Sequence, residues 1–522
     1  MDQVSFEFPS CQVRAFVLPQ TVYEVCMKKC HASLIIKNGT VITMDTENRI
    51  LTNAAVVTKG NTIIDVGNSD TMRSKYSADQ VLDASNKVVM PGLVDTYGHA
   101  GHGLIKGIHH PEHGWPTGTF YFNATTEDWW HAEGMLSAVE RLRFGVTTGL
   151  TVVGATPARM DSTVFAERQA QSTGKVGVRS VIAVGPPDPL VSHLPEPWSG
   201  TFWKKGRPEK KLFSFRDTIE NTIEIIQAWN HGLDERIQVA LHYPYLFGRQ
   251  AAHPRHPFVY NPEEHVPLMI EKAEEVKSLA DRYQVLLHSH AFAGSVSFAL
   301  KHYGKERVHR FLDGRVAFAH CNGFAPVEIE TLGSHATGIC VVPFTHENIL
   351  YGPCPVIELL QHGAIVSIST DGTTPYCSYD LFKDISRAIW TQWMRFGDQS
   401  VLPPGKALRM VTIDAANVLG IGHLVGSLEP GKRADIILVD FNRPHLVPGE
   451  LIPRMLAFYA NGNDVESVIV NGKIVMQDRH ILSVDEKEVI QCAREEAQKA
   501  FERQDIRGYL QMDQDFWTNW KY

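Results

Sequence analysis

Between residues 91 and about 420, stretches with helical periodicity alternate with short, apolar, strand-like stretches. The helix-like "EEHVPLMIEKAEEVKSLADRYQ", for example, leads directly into "VLLHSHAF". Alternation of this kind is typical of βαβ units, which build a parallel sheet covered by helices. A region of this length accommodates eight such units. The sequence therefore predicts an α/β fold whose main domain is a (β/α)8 barrel of the TIM type.

The two ends of the chain carry a second, smaller β region. "SLIIKNGTVITM" and "NAAVVTKGNTIIDVG" near the start, and "VESVIVNGKIVMQ" near the end, are β-branched strands broken by Asn-Gly or Gly-Asn turns. We expect both ends to pair into one small β-sandwich. The predicted organisation is an N-terminal extension (1–31), a first sandwich part (32–90), the barrel (91–420), a second sandwich part (421–485) and a C-terminal helix and tail (486–522).

Charge and hydropathy limit the kinds of partner. The 522 residues include 50 Lys and Arg against 58 Asp and Glu, a net charge of -8 without long blocks of one sign. This balance argues against a nucleic-acid or anionic-membrane surface. No run reaches the roughly 18 apolar residues that span a bilayer, and "MDQVSFEFPS" does not have the pattern of a signal peptide. Because the eight scattered cysteines fit reduced thiols, we expect a cytoplasmic protein. The charge balance favours a small molecule as its partner.

Four predicted strands end in histidine or aspartate. The segments are "DTYGH" (95–99), "LLHSH" (286–290), "AFAHCNG" (317–323) and "SISTDG" (367–372). Each contains or follows a short apolar run, and a parallel barrel brings the carboxyl ends of its strands to one face. These four segments together therefore predict a shared site at that face.

The same segments resemble those of the amidohydrolase superfamily, in the branch that contains guanine deaminase, adenosine-type deaminases and triazine hydrolases. The resemblance runs from about residue 32 to 485 and includes "VVMPGLVDTYGHAGHGLIKGI", "RVAFAHCNGF", "VSISTDGTTP" and "GSLEPGKRADIILVD". It implies a metal-bearing (β/α)8 barrel with a β-sandwich built from both chain ends. This is the fold that the periodicity also predicts.

The resemblance implies a metal site in this chain. Its pattern assigns His99, His290 and Asp371 as ligands of one divalent ion, zinc or iron. Imidazole nitrogens and one carboxylate leave an open position in which a bound water loses its proton near neutral pH. The resemblance also implies that His320 polarises the substrate or handles the proton of this water, and that Asp371 accepts that proton.

Tyr97 is the first departure from the family pattern. The family has a His-x-His pair after the first strand, and in this chain the earlier position is Tyr97. A phenol can bind a metal as phenolate, but its ordinary pKa near 10 means that the metal must drive the ionisation. Tyr97 is thus a further candidate ligand, in a site that we expect to be weaker or differently selective.

Ala293 is the second departure. The deaminase branch has a glutamate three residues after the fifth-strand histidine, which gives a proton to the ring nitrogen of the base. Ala293 cannot transfer protons. His102, His288 and His346 are candidates to compensate for the missing acid or to contact the substrate, with ordinary polar lining as the alternative for each.

The sequence as a whole predicts a deaminase-like, metal-dependent hydrolase of a non-peptide C–N bond in a small molecule: an amide, a cyclic amide or a heterocycle substituent. Tyr97 and Ala293 keep two alternatives open. One is a non-hydrolytic, metal-dependent decarboxylation or rearrangement. The other is a catalytically inactive member that binds a ligand or partner. By the resemblance we expect a homodimer or homotetramer.

Overall fold

The computed structural model of the protein describes residues 29–109, 116, 118–154, 158–188, 196–248, 265–344, 352–510, 512 and 517. Most of the predicted N-terminal extension and His346 lie outside these residues. Within the described ranges, no helix is long and apolar enough to cross a membrane.

Strands and helices alternate along most of the chain. The strands are β1 (Cys30–Ile42), β2 (Ile50–Lys59), β3 (Thr62–Asn68), β4 (Tyr76–Asp83), β5 (Lys87–Pro91), β6 (Leu93–Asp95), β7 (His99–Ala100), β8 (Val146–Val153), β9 (Arg179–Val184), β10 (Trp198–Lys204), β11 (Arg207–Phe213), β12 (Ile237–His242), β13 (Leu287–Phe292), β14 (Val316–Asn322), β15 (Gly338–Val341), β16 (Ile365–Ile368), β17 (Ile436–Asp440), β18 (Val465–Val470), β19 (Lys473–Gln477) and β20 (His480–Ile481). The helices are α1 (Ser69–Lys75), α2 (Gly118–Ala124), α3 (Glu127–Arg143), α4 (Val164–Val176), α5 (Phe215–Trp229), the single turn α6 (Gly232–Glu235), α7 (Val266–Tyr283), α8 (Ser295–His302), α9 (Lys305–Leu312), α10 (Pro326–Gly333), α11 (Val356–Gln361), α12 (Leu381–Phe396), α13 (Pro404–Arg409), α14 (Ile413–Val418), α15 (Ile452–Phe458) and α16 (Glu486–Arg503).

The central sheet is a parallel, nearly closed barrel. Its strand order is β6-β8-β9-β12-β13-β14-β15-β16, and β7 also pairs with β8. The first and last strands are joined by side chains and loops: Thr96 Oγ1 lies 2.7 Å from Ser367 Oγ, and the Asp371 N–H donates to the Tyr97 carbonyl at 3.0 Å. The predicted TIM-type barrel is confirmed.

The second sheet is mixed and comes from both ends of the chain. Its order is β20-β19-β18-β17-β5-β1-β2-β3, with β4 paired to β1. β17 lies antiparallel to β5, so that Ile437 faces Met90, and this pairing unites the two ends. Only Gly92 separates β5 from β6, and its N–H donates to the Asp435 carbonyl at 2.9 Å. The predicted composite β domain is therefore present.

A buried ion pair fastens the two sheets together. Arg179, on β9 of the barrel, donates from Nε to Asp435 Oδ2 at 2.9 Å and from Nη2 to Oδ1 at 3.2 Å. Both side chains are buried, and Asp435 also accepts the Asn471 N–H at 2.7 Å. Because all these bonds are made away from water, they fix the sheet domain to the base of the barrel.

Side-chain caps define where barrel helices begin. Thr126 precedes α3 in an extended conformation, and its hydroxyl accepts the Trp129 N–H. Ser214 and Asp217 form a reciprocal capping box at the start of α5. Such caps satisfy N–H groups that the first helical turn leaves without partners. They fix the residues at which these helices begin.

Candidate active site

The phenol of Tyr97 lies between two imidazoles at the carboxyl end of the barrel. Tyr97 follows β6, His99 begins β7, and His290 lies within β13. Tyr97 Oη is 2.7 Å from His99 Nε2 and 2.5 Å from His290 Nε2, and all three side chains are buried. Three residues that the sequence analysis singled out therefore meet at one point.

Backbone carbonyls orient both imidazoles. His99 Nδ1 donates to the Gly154 carbonyl at 2.7 Å, and His290 Nδ1 donates to the Pro244 carbonyl at 3.0 Å. A neutral imidazole has one N–H, so each Nε2 then carries a lone pair directed at Tyr97. The phenol has a single proton, which it can donate to only one of them. Two lone pairs and a phenol oxygen at these distances form a donor set suited to a cation.

Asp371 is held beside this group by its backbone and by Asp95. Its φ of 63° is left-handed, and its N–H bonds the Tyr97 carbonyl. The preceding residue, Thr370, donates its N–H and its hydroxyl to Asp95 at 3.1 and 2.8 Å. As a result, Asp371 Oδ1 lies 3.4 Å from His99 Nε2. A left-handed residue that is fixed so tightly is typical of functional sites.

His320 lies on the other side of Asp371, at the end of β14. Its Nε2 is 3.9 Å from Asp371 Oδ2. His320 and Cys321 have φ values of 73° and 53°, where the pairing of β13 with β14 shifts register. This bulge turns the His320 ring into the site, where it stacks on His290 (5.4 Å) and on Phe292 (4.9 Å).

Burial sets the charge states of the group. It raises the pKa of Tyr97 well above the ordinary value, and the nearby Asp371 carboxylate raises it further. Burial also raises the pKa of Asp371 and lowers the pKa of His99. The imidazole is therefore neutral at physiological pH and available as a ligand.

These residues fit a divalent ion if the phenol is counted among the donors. In the part of the chain that the structure describes, no group of three or more His, Cys, Asp or Glu side chains is placed to hold a metal ion. The group that does converge has two imidazole nitrogens and the Tyr97 oxygen, with the Asp371 carboxylate next to it. Nitrogen and oxygen donors of these types suit zinc and iron.

The other predicted histidines surround this group. His102 stacks on His99 (4.8 Å between centroids), and a Cβ at Gly372 would lie 1.8 Å from its Nδ1. His288 stacks on Tyr97 (4.9 Å). Each ring therefore packs directly against a residue of the central group. The predicted role of His346 concerns a residue outside the described part of the chain.

Sequence reasoning missed His242. It ends β12, and its Nδ1 lies 3.1 Å from Nδ1 of His288. Its ring also contacts that of His290 edge-on at 5.2 Å. The signal was present in "IQVALH", an apolar run that ends in histidine like the four segments that were selected.

A parallel barrel with imidazoles, a phenol and a carboxylate at the carboxyl ends of its strands can hold a metal ion at its active-site face. Residues 88–475 match the Amidohydrolase family, and the chain belongs to this family. The predicted family and class, an enzyme that hydrolyses non-peptide C–N bonds of small molecules, are confirmed, and the comparisons give no support to the two alternatives. Family membership also supports a divalent metal.

Relatives of similar length include two kinds of deaminase. A 5'-deoxyadenosine deaminase from Methanosarcina mazei is 29% identical over 484 residues, which cover 90% of this chain and 98% of the relative. A 5-methylthioadenosine/S-adenosylhomocysteine deaminase from Pelotomaculum thermopropionicum is 28% identical over 490 residues, or 91% and 100% of the two chains.

Solved structures share the fold. An adenosine deaminase from Xanthomonas campestris with bound zinc superposes with a TM-score of 0.73 at 20% identity, covering 91% of this chain and 99% of the other. An atrazine chlorohydrolase from Arthrobacter aurescens in complex with zinc gives 0.70 at 19% identity, covering 89% and 100%.

Proposed function

We propose that the protein is a hydrolase that uses one divalent ion, zinc or iron, held by His99, His290, Asp371 and the phenolate of Tyr97. The observation that carries the proposal is the convergence of two imidazole lone pairs on one phenol oxygen at 2.7 and 2.5 Å. A divalent ion at such a site supplies a Lewis acid and a bound water that ionises near neutral pH.

The chain's own residues handle the proton. The Asp371 carboxylate accepts the proton of the attacking water, since its backbone bond to Tyr97 fixes it beside the ligands. His320 lies 3.9 Å from that carboxylate and is oriented by its stacking on Phe292. This placement suits it to polarise the substrate or to pass the proton to the leaving group.

The substrate class that we propose is an amide, a cyclic amide or a heterocycle with a displaceable substituent. The deaminase relatives support hydrolysis at a C–N bond. Ala293 has no acidic group, so substrates that need no protonation of a ring nitrogen from this position are favoured. His102 and His288, which flank the central group, and His346 are proposed to contact the substrate.

We further propose a cytoplasmic homodimer or homotetramer that has no nucleic-acid or membrane partner. The balanced charge supports the absence of a nucleic-acid or anionic-membrane partner, and the family resemblance supports the oligomer. Cys321, Cys340 and Cys354 are buried as free thiols, which agrees with a reducing compartment.

Elemental analysis of the purified protein and of an Asp371→Ala variant tests the metal proposal. We expect about one zinc or iron per chain, strongly reduced in the variant. Reaction in ¹⁸O-labelled water should place the label in the product of amide or heterocycle hydrolysis. Absence of metal from both proteins, together with an unlabelled product, would contradict the proposal.

A further inference from the structure

Asn322 lies at the carboxyl end of β14, in register with Phe292 at the end of β13. The carboxyl ends of parallel strands meet at one face of a barrel. The Phe292 ring stacks on both His290 and His320, so this face is the one that carries the site. Asn322 therefore lies at the end of the barrel that carries the site, two residues beyond His320 and just after the bulge.

The carboxamide is fully buried, and within the described part of the protein neither Oδ1 nor Nδ2 has a hydrogen-bond partner. A primary amide has two N–H donors and an acceptor, and burying these groups without partners is costly. Orphaned amides of this kind are rare in folded proteins. A bound molecule that meets these atoms would remove the cost.

Ala293, which follows β13, lies next to Asn322. The Ala293 N–H donates to the Asn322 carbonyl at 2.9 Å, so the two residues are direct neighbours. Alanine ends at Cβ, and its side chain has no atom that could bond a carboxamide. The amide is thus a neutral polar group that can form hydrogen bonds, at a point where residue 293 supplies no acid.

We propose that Asn322 recognises a planar edge of the substrate in which an N–H donor stands next to an acceptor. A carboxamide pairs with such an edge through two parallel hydrogen bonds, as asparagine does with adenine. Lactams and amino-substituted heterocycles both present this edge. The inference rests on the proposed hydrolase function, since it specifies the part of the substrate that this hydrolase binds.

The test uses the full-length, metal-loaded protein and calorimetric binding of two probe pairs. The pairs are 5,6-dihydrouracil with its 1,3-dimethyl form, and adenine with N6,N6-dimethyladenine. We expect one of the two unmethylated probes to bind: binding of dihydrouracil would indicate a lactam substrate, and binding of adenine an amino-substituted heterocycle. The methylated form of that probe should bind about ten- to a hundredfold more weakly. Asn322→Leu should lose the same factor, and Asn322→Asp should bind weakly because its charge replaces a donor.

Thermal unfolding separates ligand recognition from a structural role. Leucine is similar in size and removes the orphaned polar atoms, so Asn322→Leu should keep or raise Tm while it loses the probe. The matched control is Thr337→Val, which removes an orphaned buried hydroxyl beside the start of β15, at the opposite end of the barrel. It should leave probe affinity unchanged.

Three results would overturn the inference: neither probe binds the wild type, methylation does not weaken binding, or Asn322→Leu lowers Tm by several degrees with affinity unchanged. Hydrolysis is measured separately with ¹⁸O-labelled water. Probe binding that depends on Asn322, in a protein that incorporates no label from any substrate, supports the inference and contradicts the proposed function alone.

Discussion

Replacing Tyr97 by histidine should tighten metal binding. At pH 7 a phenol with an ordinary pKa near 10 costs about 4 kcal/mol to ionise, because each of roughly three pH units corresponds to about 1.4 kcal/mol. Burial raises the pKa of Tyr97 further, whereas a neutral imidazole needs no ionisation at all. Replacing the phenol by an imidazole therefore strongly favours metal binding, before the difference in ligand charge is considered.

The charge of the phenolate reduces this gain, because an anion attracts a cation more strongly than a neutral ring does. We expect the Tyr97→His variant to bind zinc about ten- to a hundredfold more tightly than the wild type at pH 7. The Tyr97→Phe variant is the matched control. It keeps the ring that stacks on His288 but lacks the oxygen, and it should bind zinc more weakly than the wild type.

A chromophoric chelator competing for zinc between pH 7 and 9 measures both affinity and proton release. Each ion that binds the wild type must displace one phenol proton, so its apparent affinity should rise about tenfold per pH unit. The Tyr97→His variant should lack this slope, since its imidazoles are already neutral in that range. Equal affinities and equal slopes in the two proteins would refute the assignment of Tyr97 as a ligand.

Three further predictions follow from buried contacts. Asp435→Ala leaves Arg179 buried without its partner and should lower the free energy of unfolding by about 3–5 kcal/mol in urea titrations; a loss under about 1 kcal/mol would contradict this. Gly372→Ala places a Cβ 1.8 Å from Nδ1 of the buried His102 ring, so that the ring must shift. We expect kcat/KM to fall about a hundredfold and Tm to fall with it, whereas unchanged kinetics and Tm would mean that the ring relocates freely. Burial holds the pKa of His102 and of His288 well below the ordinary value, so both rings stay neutral in the folded protein while the unfolded chain binds protons below about pH 6.5. Chelator-treated protein should therefore lose stability as the pH falls below about 6.5. Constant stability from pH 7.5 to 5.5 would contradict the assignment of these histidines as neutral.

The sequence predicts which residues lie at the strand ends of this barrel better than it predicts which of these residues contact one another. The histidine and aspartate positions were found because the carboxyl ends of parallel strands share one face. That rule depends on local periodicity, which a single sequence contains. The contact of Tyr97 with His290 joins residues 193 positions apart, and the bond of Asp95 to Thr370 spans 275 positions. Distances across a barrel depend on strand tilt and stagger, which local patterns do not encode.

Asn322 was missed for a different reason. An amide does not titrate, ligates few metals and resembles ordinary polar lining in a sequence, so no motif singles it out. Its signal is the absence of hydrogen-bond partners within the described residues, and this property exists only once the chain is folded. His242, by contrast, satisfied the rule that found His290 and was overlooked in its application.

The placement of buried polar groups bears on whether this barrel is an active enzyme. Arg179 and Asp435 are also buried, but each of these charged groups bonds the other within the protein. At the carboxyl end of the barrel, two imidazole lone pairs share one phenol proton, and the Asn322 carboxamide has no partner among the described residues. Apolar side chains of similar volume would make this end of the barrel more stable. The polar groups therefore cost stability that a bound cation and a bound substrate would restore, as expected of a working site and not of a barrel that serves only as a scaffold.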